Sequence, residues 1–566
     1  MILASPERIR EYTAEGYWGT ETLWDRFRQY ARVHPDRVAL VDPPNKEELV
    51  GLSPERLTYR ELEQAVGAVA QALVDRGLRK DDVVMVQLPN VWELAMLYLA
   101  VARAGGVIAP IPVQWRAKEF SYIAGLTEAA MFITTRQFRG FSGLDMARQL
   151  QGQLPALREI LTLEDVREMA RGAYDEERLG AIPMDANDIF TICWTSGTEA
   201  EPKGCPLSHN NWLFQARMLS KATGFGPHQT QLCVAPLVNM TAVGVNFIPW
   251  LTFGGTFVLH HPFDAEIFIG QMVQEQVNFT ILVPAVINMI AKHPNVDQFD
   301  LRAVRTITTG SAPPSLWAMQ EFKRRWGSEI VNIWGQNEGT GLVAGPVDVP
   351  DLARRADRFP DWGKSGVDWV VQGVRTKLVD PVTKGVLTEV GAVGELAYRG
   401  PNVMAGYYGR PDLTAKAFDE DGYFYTGDLF QRKEENFIGF FDRKKDIIIR
   451  GGFNISAQEV ENTLLGHPKV ADVAAVAMPD PVLGERTCVY VVPRDPGDPP
   501  TLEELVEFMK NRGVAVYKWP ERLELIEAIP RNPVGKILKK ELREDLRAKM
   551  GAGEESPSVP LAGTEG

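Results

Sequence analysis

The stretch Thr195–Gly204, "TSGTEAEPKG", sets three hydroxyl residues, two glycines and a lysine within ten positions. Gly197 and Gly204 permit unusual backbone angles and close approach to a ligand. The hydroxyls of Thr195, Ser196 and Thr198, together with successive backbone N–H groups, suit an anion. Lys203 adds a compact positive charge. The loop is not of the G-x-x-x-x-G-K-[ST] kind, because Pro202 stands where that motif needs glycine. It also carries Glu199 and Glu201, carboxylates in a place suited to anions. Taken alone it reads equally as a polar surface turn, so its surroundings decide.

Before it runs "DIFTICW", a strand pattern, and a helix pattern begins near Ser208. Outward from there, "DVVMVQL", "AAMFITT", "NFTILV", "VRTITTG" and "EIVNIW" are further strands, and helix-like stretches separate most of them. "LTYRELEQAVGAVAQALVDRGL" has apolar residues at helical spacing and ends in glycine. The alternation predicts an α/β fold with parallel sheets flanked by helices. After about Pro346, "GVRTKLVD", "GELAYRG" and "YFYTGDL" are short strands parted by Gly and Pro turns, a β subdomain. Beyond Asp442 comes an α+β unit of about 110 residues. The expected division is therefore 1–442, 443–550 as a small mobile α+β domain, and a disordered tail over 551–566.

Composition narrows the function. The chain has 566 residues, with 61 basic and 74 acidic side chains and a net charge of -13. That balance argues against nucleic acid or an anionic membrane as partner. The most apolar long stretch, from Leu94, is broken by Arg103, a Gly pair and two prolines, so it reads as a buried helix and strand rather than a membrane span. Cys193, Cys205, Cys233 and Cys488 have no zinc or CxxC spacing, and a reducing cytoplasm fits best. The N-terminus lacks the apolar core of a signal peptide.

Four more motifs follow the loop in order. "WGQNEG" places Glu338 after a strand, and "YTGD" places Asp428 after an aromatic one. "FFDRKKDIIIRGGFNISAQEVE" joins a basic cluster to a Gly pair and a helix start, and "PRNPVGKILKKELR" puts Lys536 in a turn before a helix. Singly, each has a plain structural explanation: a lone Asp caps a turn and a charge run is a solvated face. Together and in this order they resemble the adenylate-forming superfamily of acyl- and aryl-CoA synthetases, peptide-synthetase adenylation domains and firefly luciferase, from about Trp18 to Leu546.

The resemblance implies a two-step reaction. A carboxylate attacks the α-phosphorus of ATP to give acyl-AMP and pyrophosphate; a thiol, usually that of CoA, then displaces AMP. Thr195, Ser196, Gly197, Thr198 and Lys203 would hold the β- and γ-phosphates. Glu338, with Thr198, would bind Mg²⁺. Gly310, Ser311, Ala312, Asn332 and Gly335 would line the adenine, and Trp334 the adenine or the acyl group. Asp428 and Arg443 would take the ribose. Lys536 would offset the repulsion between carboxylate and α-phosphate in the first step. Lys445 matches the hinge about which the small domain turns, and Gly451 and Gly452 would open the way to the pantetheine arm.

The chain departs from the family at several points. The usual loop reads T-S-G-T-T-G-x-P-K-G, and here Glu199 and Ala200 replace Thr and Gly. Glu199 can face solvent, pair with a basic residue or help bind the metal. The retained Ser196, Thr198 and Lys203 predict activity with a weaker hold on ATP. Asn239 stands where many relatives have His, and with Met240, Thr241 and Gly244 it predicts a neutral pocket for an apolar or lightly polar acyl group. Asn337 replaces a common Thr, and Asp442 a common Gly. The leading expectation is an acid–thiol ligase. One rival loads a separate carrier protein's phosphopantetheine, and another is a nucleotide-binding regulator without catalysis. A homodimer is the default assembly.

Overall fold

The expected alternation is present in the computed structural model, which describes residues 1–195, 201–451, 453–531 and 536–551. The helix Tyr59–Asp75 illustrates how it arises. Thr58 caps it by accepting from the Glu61 N–H, and the Glu61 carboxylate accepts from the Thr58 N–H at 2.8 Å. Leu62, Val66, Val69 and Leu73 then recur on one face and are buried.

Two sheets organise the first part of the chain. One runs Glu159–Thr162, Met131–Thr134, Val83–Gln87, Val107–Pro110, Ile189–Thr195 and Lys203–Ser208. Its first five strands are parallel and the last is antiparallel. The other runs Gly341–Ala344, Glu329–Gly335, Thr306–Thr309, Phe279–Ile281, Thr230–Cys233, Thr256–Leu259, Val38–Val41 and Arg56–Thr58. It is parallel within and antiparallel at both edges. Phe120, Phe132, Ile192 and Trp194 belong to one core, and Val258, Phe268, Ile307 and Phe322 to another. The apolar stretch from Leu94 forms the wholly buried helix Trp92–Arg103 and then the strand Val107–Pro110. Among the described residues no helix is long and apolar enough to cross a membrane.

By internal contacts the chain groups into two units, Met1–Thr376 with Tyr398–Phe424, and Lys377–Ala397 with everything from Tyr425. The β subdomain strands Phe424–Glu434 and Phe437–Arg443 thus group mainly with the C-terminal part. In that second unit the strands Phe453–Ile455, Ile448–Arg450, Gly484–Pro493 and Val470–Asp480 form a sheet, and Arg522–Leu525 adds alongside Gly484–Pro493. Alternate residues of its strands face opposite ways. Val473 and Val489 pack with Val460 and Leu505 of the helices Ala457–Leu464 and Leu502–Asn511. Val476 and Tyr490 pack with Leu542 and Leu546 of the helix Lys539–Gly551. The expected tail lies outside the described residues from 552 onward.

Candidate active site

The helix expected near Ser208 is present, but the chain reaches it through a second strand that the sequence pattern did not signal. That strand is Lys203–Ser208, which sets Lys203 opposite Thr195 and Cys205 opposite Cys193. Only then does Ser208, bonded reciprocally with Asn211, cap the helix His209–Thr223. A strand holding Gly204 and Pro206 is tolerated because it lies at the sheet edge, where one row of backbone groups needs no partner strand. Both ends of the Thr195–Gly204 motif therefore lie in one antiparallel strand pair. Ser196, Gly197, Thr198, Glu199 and Ala200 lie outside the described residues.

Within that strand pair the Lys203 N–H donates to Thr195 Oγ1 at 3.3 Å. The Lys203 ammonium donates to the Tyr407 hydroxyl at 3.0 Å and lies 4.4 Å from the centre of its ring. The Tyr407 hydroxyl in turn donates to Glu338 Oε1 at 2.8 Å. Two motif residues 135 positions apart are thus joined through a third that sequence reasoning missed. Burial, and then the neighbouring Glu338 carboxylate, push the Tyr407 pKa well above its ordinary value. The hydroxyl therefore keeps its proton and its role as donor.

Glu338 sits in the turn between Glu329–Gly335 and Gly341–Ala344. Next to it Gly339 adopts φ 91°, and a Cβ there would stand 2.0 Å from the Asn402 carbonyl oxygen, so only glycine fits. Asn337 does what a threonine hydroxyl cannot do at both ends. Its Oδ1 accepts from the Met240 N–H at 2.8 Å and its Nδ2 donates to the Trp194 carbonyl at 2.9 Å. The turn is thereby tied both to the strand pair that carries Thr195 and Lys203 and to the segment expected to line the acyl group.

Of the adenine candidates, Gly310, Ser311 and Ala312 follow the carboxyl end of Thr306–Thr309, and Asn332, Trp334 and Gly335 lie in the C-terminal half of the parallel neighbour Glu329–Gly335, the side where open α/β sheets place ligands. Thr309 is opposite Asn332 in register, and a Cβ on Gly310 would stand 2.7 Å from the Ile333 carbonyl oxygen. Ser311, at φ 70°, and Ala312 are exposed. Trp334 is half-buried and Gly335 exposed. Asn332 is buried and donates to the Ala356 carbonyl at 3.0 Å, which leaves its Oδ1 to act as an acceptor.

Asn239 caps the turn Met240–Ala242 by accepting from the Thr241 N–H at 3.1 Å. A π-helical turn, Val243–Phe247, follows; such turns are frequent at functional sites. Gly244 lies within it, where a Cβ would meet Met240 Sδ at 2.4 Å and the Trp212 ring at 3.1 Å. In the same turn the Asn246 side chain is fully buried, and its amide nitrogen and oxygen have no partner among the described residues. Nothing in its apolar sequence surroundings signalled that amide.

The second unit gathers the remaining candidates. Asp428 and Arg443 are direct cross-strand partners on Phe424–Glu434 and Phe437–Arg443. Lys536 is half-buried in their neighbourhood; burial first and the Arg443 guanidinium second lower its pKa to about 8, with Lys445 adding to the effect and Asp428 and Asp446 opposing it. Lys445 is exposed at the turn after Arg443. Gly451 has φ 55° and its N–H donates to the Leu483 carbonyl at 2.8 Å. Gly452 lies outside the described residues. Asp442 is buried and accepts from Ser456 Oγ at 2.9 Å and the Gln458 N–H at 3.1 Å, which fixes the start of the helix Ala457–Leu464.

Parallel sheets with motif loops at strand ends, and an α+β unit carrying Lys536, define the class. A family model described as AMP-binding enzyme matches residues 27–408, and one described as AMP-binding enzyme C-terminal domain matches residues 459–536. The chain belongs to this adenylate-forming superfamily and is an AMP-forming acid ligase. It is 32% identical over 555 residues to the medium-chain fatty-acid–CoA ligase of Escherichia coli, covering 96% of this chain and 94% of that one. It is 29% identical over 557 residues to the 2,3-dihydroxybenzoate-AMP ligase of Bacillus subtilis, covering 97% and 98%. The crystal structure of ATP-bound MatB from Rhodopseudomonas palustris superposes with a TM-score of 0.79 at 25% identity, over 93% of this chain and 99% of that one. These relatives give no support to a regulator without catalysis.

Proposed function

We propose that this ligase joins an apolar or lightly polar carboxylic acid to CoA. The observation that carries the proposal is the setting of Lys536 beside the Asp428–Arg443 pair. In the first step the carboxylate oxygen bonds to the α-phosphorus of ATP and pyrophosphate leaves. Two anions must approach, and the Lys536 ammonium offsets their repulsion and stabilises charge on the pentavalent transition state. Asp428 accepts from the ribose hydroxyls while Arg443 supports it. Lys203 and Thr195 hold the terminal phosphates, with Ser196, Gly197 and Thr198 completing the loop. In the second step the thiol sulfur attacks the acyl carbon, AMP leaves and the thiol proton passes to solvent. Turning of residues 443–550 about Lys445, with Gly451 and Gly452 flanking the pantetheine arm, separates the two steps.

Glu338 fits Mg²⁺. Among the described residues no group of three ligating side chains stands together, and a lone carboxylate oxygen suits a hard cation that keeps waters and phosphate oxygens as its other ligands. When bound, Mg²⁺ supplies charge neutralisation on the phosphates. The four cysteines are buried and unpaired, which suits the reducing cytoplasm.

ATP–pyrophosphate exchange across a panel of carboxylic acids, followed by CoA and a phosphopantetheinyl carrier as acceptors, tests the proposal. Exchange with one acid class and thioester formation on free CoA is the expected result. Thioester formation on the carrier alone would replace CoA as acceptor, and no exchange with any acid would overturn the adenylation chemistry.

A further inference from the structure

We propose that Tyr407 is a positioning residue that holds Lys203 and Glu338 apart, so that neither charge is spent on the other before the nucleotide arrives. This rests on the reading of Lys203 as a phosphate ligand and Glu338 as the metal-side carboxylate. An ammonium and a carboxylate brought close together in a partly buried site attract strongly, and a direct pair between them would have to open before either could serve a ligand. Here a neutral hydroxyl stands in between. It accepts from Lys203 at 3.0 Å and donates to Glu338 at 2.8 Å. The ring face adds a second contact to the ammonium at 4.4 Å, and this one uses no anion.

The backbone around Tyr407 holds it in that place. The Met404 N–H donates to the Glu338 carbonyl at 2.9 Å, and the Tyr408 N–H donates to the Gly204 carbonyl at 2.9 Å. One side of the segment is thus fastened to the glutamate turn and the other to the strand pair that carries Lys203. The Tyr407 N–H donates to Thr414 Oγ1 at 3.0 Å. Farther back, Arg8 donates to the Met404 carbonyl at 3.1 Å, and Asn211 and Trp18 donate to the Pro401 carbonyl at 2.7 and 3.0 Å. The glycine at 339 lets this strap lie against the turn. Tyr407 and Glu338 are each 7% exposed and Lys203 is half-buried, so little solvent reaches the carboxylate and the hydroxyl that contacts it. The separation depends on the hydroxyl.

The test is calorimetric binding of ATP and of AMP, both with EDTA, to wild type, Tyr407→Phe, Glu338→Gln and the double variant. Loss of the hydroxyl lets Glu338 capture Lys203, so Tyr407→Phe should weaken metal-free ATP by about tenfold. With Gln at 338 there is no carboxylate to capture the ammonium, and the same change should cost less than about twofold. AMP lacks the terminal phosphates and should bind Tyr407→Phe as it binds wild type. An equal ATP penalty in both backgrounds, no penalty, or a loss of AMP binding would each overturn the proposal, the last by placing Tyr407 in the fold rather than in the grip. Lys203→Ala separates the underlying reading: ATP binding unchanged by that substitution would remove Lys203 as a phosphate ligand and the proposal with it.

Discussion

Two lysines of this protein live in opposed surroundings. Lys203 rests on a neutral hydroxyl and an aromatic face, with a carboxylate one hydrogen bond farther on. Lys536 shares its neighbourhood with two other cations, Arg443 and Lys445, as well as with Asp428 and Asp446, and its pKa falls to about 8. The difference follows the work each would do. A lysine that holds phosphates needs a partner that keeps it in place without cancelling its charge. A lysine that acts on a transient charge gains from surroundings that do not already favour its ammonium. Burial first, and the Arg443 and Lys445 cations after it, disfavour the ammonium, and a nearby α-phosphate would relieve that.

The sharpest way to break the comparison is to remove each cation's contribution in turn. Lys536→Ala should lower the exchange rate by about 10²–10³-fold with little change in ATP binding, since the donor acts in the transition state. Rate and binding falling together would place Lys536 with Lys203 as a binding group. On the other side, Gly339→Ala should dislodge the strap from the glutamate turn. A left-handed φ of 91° costs a non-glycine residue about 1–2 kcal/mol, and the overlap with the Asn402 carbonyl adds to it. A melting temperature unchanged from wild type would show that the turn is looser than its geometry implies.

Asn337→Ala should come next in size. It leaves the Met240 N–H and the Trp194 carbonyl without their partner, at about 1–3 kcal/mol for a buried group. Because the amide ties that strand pair to the acyl segment, KM should rise for both ATP and acid. A rise for one substrate alone would mean that the two loops are not coupled through this residue. Asn337→Thr should recover only part of the loss, since one hydroxyl cannot span both groups.

Much of this was legible in the sequence, and the exceptions have physical causes. The strands at Val83–Gln87, Ile189–Thr195 and Glu329–Gly335 were readable because each is a short apolar run bounded by turns. Lys203–Ser208 was not, because Gly204 and Pro206 mark loops and only the edge position excuses them. Asp428 and Arg443 were each singled out, yet their pairing depends on strand register, which is irregular between Leu429 and Phe430. Tyr407 carried no local signal. Its partners lie 204 and 69 positions away, and only the fold brings them to it. Asn246 is a polar residue in an apolar run, and its unpartnered amide became visible only with its neighbours in place.

The smallest expected effect concerns protons. With a pKa of about 8 the free enzyme holds Lys536 mostly charged at pH 7 and loses that charge as the pH rises through 8. The kcat/KM for exchange reports the free enzyme, so it should fall on that alkaline limb. Lys536→Arg, which stays charged, should abolish the limb even if the guanidinium is the poorer donor. Lys445→Ala removes one of the two cations that depress the ammonium, and Lys445 is exposed, so screening limits its reach. The limb should therefore move upward by on the order of a few tenths of a pH unit, well short of the move expected on removing Arg443, the larger electrostatic contributor. A limb that stays in place in both variants would leave burial alone as the cause and would remove the cationic crowding on which the contrast with Lys203 depends.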